Sequence, residues 1–197
     1  MAPPPGENQA APQPRQNIAK DGDLILVVGP KRVEIRVDSH ILRAASKTFR
    51  AMFGPHFAEG QNLGGNNVKY VDLPEDSASG MTQVCRLLHF CCDITQPGPE
   101  PDVLLEAARV VDKYFLQKSV SFAVDRWLKP DTEIYDPSEL ISGLGKMAIA
   151  ADLFDHSQGF YRVTRAMLLS CGWGRSDYEY FPDSADAECR WRMICEY

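Results

Sequence analysis

The chain has 197 residues, a length that fits one domain of about 100–150 residues with appendages, or two small domains. It contains 27 acidic and 21 basic residues, and the net charge of −6 argues against a protein that binds the phosphate backbone of nucleic acids. No apolar run reaches the roughly 18 residues of a membrane span, and the opening MAPPPGENQAAPQPRQ lacks the apolar stretch of a signal peptide. The sequence therefore predicts a cytoplasmic or nuclear protein that does not enter a membrane.

The first 20 residues are rich in Pro, Gln, Asn and Ala. Their hydrophobicity is too low to compensate for the entropy that ordering would cost. We expect residues 1–20 to form a disordered tail.

Two strands joined by a tight turn are predicted next. Residues 24–28, LILVV, form a continuous aliphatic run that is typical of a strand covered on both faces. Residues 33–37, VEIRV, alternate as in a strand with one wet face. The turn Gly29-Pro30-Lys31-Arg32 makes the two a hairpin. A third strand is predicted at residues 68–73, closed by Pro74.

Between the second and third strands, residues 40–53 have helical spacing, with Asp38 or Ser39 as the N-cap. Ser46-Lys47-Thr48 predicts a break and a second N-cap, so two short helices are expected. Gly54-Pro55 ends the second one.

Helical periodicity predicts further helices, each with one buried apolar face. The first, capped by Asp76 or Ser77, buries Met81, Val84, Cys85, Leu88, Cys91 and Cys92. The second, capped by Asp102, buries Leu104, Ala107, Ala108, Val111 and Phe115. The third buries Val120, Ala123, Val124, Trp127 and Leu128. After a boundary at Lys129-Pro130, the sequence DPSE begins a helix that buries Leu140, Leu144, Met147, Ala148 and Ala151. Another helix is predicted over residues 160–169.

The predicted order is thus strand, strand, helix, helix, strand and then helices only. Three strands need helices packed on them to be stable. We therefore predict an α+β fold with a small three-stranded sheet over residues 21–128. An all-α C-terminal extension is predicted over residues 129–197.

We identify no catalytic, metal-binding or cofactor-binding residues, since the phosphate-binding, dinucleotide-binding and hydrolase motifs are all missing. Cys85, His89 and Cys91 lie near one another, but Cys91 is about 600° round the helix from Cys85. The six cysteines are irregularly spaced without a CxxC pair, as expected for reduced free thiols. An enzyme that uses Cys and His side chains is an alternative that metal analysis would test.

An aromatic and Met-rich cluster marks the end of the second helix and the loop after it. It consists of Phe49, Met52, Phe53 and Phe57. Some of these side chains must face the core, and the others can line a groove for a partner helix. Phe57 either folds back on Phe53 or is presented to a partner.

The stretches GDLILVVG, VEIRVDSHILRAASKTFRAMF and VKYVDLPED resemble the BTB (POZ) domain over about residues 21–128. The chain looks most like short fungal BTB proteins that carry a helical C-terminal extension. The resemblance implies a small mixed sheet flanked by helical hairpins and no catalytic activity. It also implies binding to a second copy of the chain or to other proteins, so a homodimer and a complex with another protein are alternatives.

Many members of that family link a substrate to a cullin-based ubiquitin ligase. In those members an apolar residue, any residue and then Glu, in the loop after the second helix, contact the cullin. Phe57-Ala58-Glu59 matches this pattern. The predicted partner-binding residues are therefore Phe49, Met52, Phe53, Phe57 and Glu59. The alternative is a scaffold or transcriptional regulator that uses the domain only to pair with itself or with another BTB chain.

The sequence departs from the family pattern in three ways. Asp38 stands where the family usually has His, although Asp can still cap the helix. The Pro-rich residues 1–20 cannot supply the N-terminal helix that many family dimers exchange. No Kelch, MATH or zinc-finger region follows, so direct DNA binding is not expected, and recognition of a substrate falls to residues 130–197 or to another protein.

Overall fold

The computed structural model describes residues 15–54, 68–93, 97–130 and 137–170, with side chains from residue 139 onwards in the last range. Within these ranges the protein has an α+β fold with one mixed sheet and seven helices. None of the helices described there is both long and apolar enough to cross a membrane.

The sheet has four strands rather than the predicted three. They are β1 (Gln16–Asn17), β2 (Leu24–Val28), β3 (Val33–Val37) and β4 (Lys69–Leu73), in the order β1-β3-β2-β4. The predicted hairpin is the antiparallel pair of β2 and β3, while β1 runs parallel to β3 and β4 parallel to β2.

The additional strand comes from the segment predicted to be disordered. Gln16 pairs with Ile35 and Asn17 with Arg36, and the Arg15 guanidinium lies 2.7 Å from a carboxylate oxygen of Glu34. Backbone pairing, this ion pair and the packing of Ile18 against the core hold the described part of this segment. The rest of the predicted tail, residues 1–14, lies outside the described residues.

Strand β2 is buried on both faces, as its aliphatic run predicts. Leu24, Leu26 and Val28 join the main core. On the opposite face, Ile25 lies between Arg36 and Tyr70 on the neighbouring strands, and Val27 lies between Glu34 and Asp72. Long polar side chains of the adjacent strands therefore flank the apolar residues on the outer face of the sheet.

Seven helices complete the described part of the chain. They are α1 (Ser39–Ala45), α2 (Lys47–Met52), α3 (Ala78–Leu88), α4 (Pro101–Lys113), α5 (Gln117–Trp127), α6 (Pro137–Leu153) and α7 (Ser157–Ser170).

Side-chain caps begin three of the helices where the sequence predicts them. Asp38 accepts the His40 amide, Ser46 accepts the amides of Thr48 and Phe49, and Ser77 accepts that of Gly80. The predicted cap at Asp102 is wrong, since α4 begins one residue earlier, at Pro101. Proline at the first helical position fixes φ and removes one of the amides that would otherwise lack an acceptor, and no side chain caps this helix.

Helices α3, α4 and α6 end in the same way. In each, the third residue after the helix donates to a carbonyl five residues earlier, as in Leu116 N–H to Val111 O at 2.9 Å. The left-handed residue of this motif is usually glycine, but here it is Phe90, Phe115 and Asp155, with φ of 57°, 52° and 54°.

These helix ends correct two predicted apolar faces. Cys91, Cys92 and Phe115 lie beyond the last turns of α3 and α4, so they do not continue the buried stripes. Cys91 and Phe115 are exposed, and Cys92 is half-buried.

The helices pack as a series, α3 on α4, α4 on α6 and α6 on α7. Helix α6 is apolar round most of its circumference because it is covered on two sides. Residues from the sheet and from α3 to α7 form one contiguous core. The chain on either side of the predicted boundary at residues 128–129 therefore shares that core.

Gly80 allows α3 and α4 to approach closely, because a Cβ atom at this position would overlap the carbonyl group of Glu106. We predict that Gly80→Ala lowers the free energy of unfolding by about 1–3 kcal/mol. Gly143→Ala in α6 is the matched control, since its Cβ would lie 3.4 Å from Pro101 Cγ, an ordinary contact. That change should be neutral or stabilising by up to about 1 kcal/mol. Urea unfolding measures both, and equal effects of the two substitutions would contradict the close approach.

Candidate partner-binding surface

The predicted partner-binding residues fall into three groups. Phe49 and Phe53 are buried, and their rings stack with centroids 5.5 Å apart. Met52 is half-buried on α2. Phe57 and Glu59 lie outside the described residues. Phe49 and Phe53 thus belong to the core, and a direct contact between either ring and a partner would require α2 to detach from it.

Phe49 packs on Tyr114, the residue that ends α4. The two rings are stacked with centroids 4.3 Å apart. The Tyr114 hydroxyl donates to Asp76 Oδ2 at 2.6 Å, and Lys113 Nζ lies 2.7 Å from Asp76 Oδ1. The Asp76 side chain is only 4% exposed, so these two partners compensate a buried carboxylate. Burial, and next the hydrogen bond to Asp76, raise the pKa of Tyr114 well above its ordinary value, which keeps the phenol a neutral donor.

Two further hydrogen bonds fix the corner between α4 and α5 against the junction of α1 and α2. Ser46 Oγ donates to the Tyr114 carbonyl, and Ser119 Oγ donates to the Ala45 carbonyl, each at 2.6 Å. Ser46 also caps α2 with the same oxygen. Hydrogen bonds therefore fix the corner between α4 and α5 to the helices α1 and α2.

Exposed aromatic side chains occur at this corner and further along α5. Phe115, between Tyr114 and the N-terminus of α5, is 71% exposed, and Phe122 on α5 is 53% exposed. Phe115 also adopts a left-handed backbone conformation, which costs about 1–2 kcal/mol for a residue with a side chain. Phe90, after α3, is also exposed and left-handed, because both residues end a helix in the same way. Phe115 differs from it in lying on the corner that hydrogen bonds of Ser46 and Ser119 hold against the junction of α1 and α2. We use the name corner surface for the large apolar residues of α2, of the α4–α5 turn and of α5 that are exposed or half-buried, namely Met52, Phe115 and Phe122.

Sequence reasoning missed both phenylalanines of the corner surface. The apolar spacing of α4 continues past the end of the helix and therefore predicts that Phe115 is buried, whereas it is exposed. The local sequence does not separate Phe115 from this face, since adjacent apolar residues such as Ala107 and Ala108 are both buried on the same helix.

The described residues bring together no group of three or more His, Cys, Asp or Glu side chains that could hold a metal ion. His89 is engaged through both ring nitrogens: Nε2 accepts the Asp38 amide at 3.0 Å, and Nδ1 lies 2.8 Å from the Cys85 carbonyl oxygen. This arrangement joins the end of α3 to the start of α1 and leaves neither nitrogen free for a ligand. Burial raises the pKa of the Cys85 thiol to about 12.

Comparison of the sequence with protein-family models finds no matching family, and comparison with curated proteins finds no significant match.

We predict that Tyr114→Phe lowers the free energy of unfolding by about 1–3 kcal/mol, because Asp76 loses its hydroxyl donor while staying buried. The ring itself is kept, so the stacking on Phe49 is preserved. Tyr161→Phe on α7 is the control, since Tyr161 is exposed, and it should change stability little. Chemical denaturation of the two variants measures this effect. An unchanged unfolding midpoint for Tyr114→Phe would show that the hydrogen bond to Asp76 does not contribute to stability.

Proposed function

We propose that this chain is a BTB-type protein-interaction module that works in the cytoplasm or nucleus as an adaptor and links a substrate to a cullin-based ubiquitin ligase. It performs no catalysis itself. The resemblance of the three quoted stretches, the α+β fold with its mixed sheet and the Phe57-Ala58-Glu59 motif support this proposal.

The corner surface is the observation that carries the adaptor function. Phe115 is exposed and strained, and it sits on a corner that hydrogen bonds hold against α1 and α2. Phe57 and Glu59 follow α2 in the chain. Phe115 and the Phe57-Ala58-Glu59 motif are therefore both connected to the helices α1 and α2, the first through hydrogen bonds and the second through the chain.

The chemistry of the corner surface favours a partner helix with an apolar face. Large aromatic side chains contribute much contact area for little loss of conformational entropy. Such residues are enriched among those that dominate the free energy of protein–protein binding. The buried Phe49 and Phe53 support this surface from within the core.

The loop motif provides the direct test. We predict that the double variant Phe57→Asp/Glu59→Lys no longer captures a cullin from solution, because the apolar insertion and the polar contact are both removed. Lys31→Glu, in the hairpin turn, is a charge-changing control away from α2 and should bind normally. Pull-down with purified cullin, with circular dichroism to verify the fold, measures the effect. If the double variant captures as much cullin as the unchanged chain does, this loop does not contribute to cullin binding.

The two exposed left-handed phenylalanines offer a matched comparison. Phe115→Gly and Phe90→Gly each relieve a strained backbone and should raise the free energy of unfolding by up to about 1 kcal/mol. Only Phe115→Gly should weaken partner binding. We expect its Kd to rise by about tenfold or more, where tenfold corresponds to about 1.4 kcal/mol. Calorimetric titration with the partner and urea unfolding separate the two effects. Equal losses of binding in both variants would show that the corner surface is not specific.

A scaffold or transcriptional regulator that only pairs with another BTB chain is the second candidate. The order of the sheet supports it, since β4 is an edge strand that pairs only with β2 among the described strands. An open edge can accept a strand from another molecule. Light scattering at micromolar concentration distinguishes the candidates, because a monomer argues against pairing.

A further inference from the structure

Two adjacent cysteines follow the end of α3. Cys91 is exposed and Cys92 is half-buried, and both come directly after the left-handed Phe90. Cys91 Sγ lies 3.4 Å from the carbonyl oxygen of His89 and 3.7 Å from that of Ile18, beside β1. A thiol is a weak donor, so these contacts cost little to exchange for another bond.

The neighbouring cysteine within α3 differs in character. Cys85 is fully buried in the core, and burial suppresses its thiolate. The pKa of Cys92 is raised, mainly because the side chain is partly buried. The positive charge of Arg86 lowers this pKa, and the neighbouring Cys91 raises it. Cys91 and Cys92 thus lie close enough to influence each other, and Cys92 is held mainly as a thiol at neutral pH.

We propose that Cys91 and Cys92 form a dithiol site that binds soft, thiophilic ligands of the trivalent arsenical class. Soft ligands prefer sulfur donors, and two thiols on consecutive residues can hold one such atom through two bonds. Because both sulfurs belong to one segment, the second bond forms at a high effective concentration. This site is separate from the corner surface and does not depend on the adaptor function.

The binding step is balanced without an oxidant or reductant. With an organoarsenic(III) oxide, two arsenic–sulfur bonds form and the arsenic–oxygen bonds break. The two thiol protons leave with that oxygen as one molecule of water, and no electrons are transferred. Since the protons leave with oxygen, the reaction does not require a preformed thiolate, which agrees with the raised pKa of Cys92.

The test uses the full chain and phenylarsine oxide as the probe. Cys171, Cys189 and Cys195 lie outside the described residues, so they are first replaced together by Ser. Intact-mass spectrometry of the folded triple variant should show one phenylarsenic group per chain. The adduct should resist an excess of the monothiol glutathione and be removed by dithiothreitol, as expected for a ligand held by two sulfurs.

Single substitutions then test whether the sulfurs of Cys91 and Cys92 both bind the arsenic atom. Cys91→Ser and Cys92→Ser should each abolish the glutathione-resistant adduct, because one sulfur alone forms only an exchangeable bond. Cys85→Ala is the control and should retain it. Absence of a resistant adduct in the triple variant, or its persistence in either Ser variant, would overturn the proposal.

Peptide mapping of the unsubstituted chain gives an independent answer if the triple variant folds poorly. Cleavage after Arg86 and Arg109 releases residues 87–109, which contain Cys91 and Cys92 and no other cysteine. The bridging phenylarsenic group is expected on this peptide. Its recovery only on peptides from other parts of the chain would refute the site.

Discussion

The hydrogen bond between the Tyr114 hydroxyl and the Asp76 carboxylate is the contact on which the arrangement of helices depends. Asp76 lies between β4 and α3, whereas Tyr114 ends α4 and stacks on Phe49 of α2. A buried carboxylate without partners would cost several kcal/mol. The position of α4 relative to the sheet is therefore set by an electrostatic requirement as well as by packing, and α2 follows because its central aromatic ring rests on Tyr114.

The sequence predicted elements whose signals are local. The hairpin follows from a continuous run next to an alternating one, and the break at Ser46 follows from a capping residue inside an apolar pattern. Most of the residues predicted to be buried on α3 to α6 are buried. Apolar residues three and four positions apart lie on the same side of a helix, so their spacing identifies the side that faces the core.

The remaining features depend on contacts that are distant in the chain. Strand β1 exists through its pairing with β3 and through the Arg15–Glu34 ion pair, neither of which leaves a pattern in residues 15–17. At the candidate site, the sequence identified an aromatic cluster but could not separate the core residue Phe49 from the half-buried Met52. It also placed Phe115 inside, because a helix that ends without glycine gives no local signal of its end.

The corner between α4 and α5 and the proposed dithiol site are connected to opposite ends of α3. Asp76, just before this helix, contacts the residues that end α4, whereas Cys91 and Cys92 follow its other end. A helix of 11 residues separates the two ends by about 16 Å. Side chains do not bridge that distance directly. Coupling between the two ends has to pass through packed elements, either α4 or α1, since His89 joins α1 to the end of α3 and Ser119 joins α1 to α5.

The burial of α6 between α4 and α7 has a consequence for synthesis of the chain. During translation the sheet and helices α1 to α5 emerge first, with the α6-facing side of α4 still uncovered, including Leu105, which later packs on Ile149. The ion pair between Lys146 and Asp102 also forms only when α6 arrives. A nascent chain that pauses before residue 137 therefore exposes a strip of apolar surface, which is the state that chaperones recognise and in which aggregation begins.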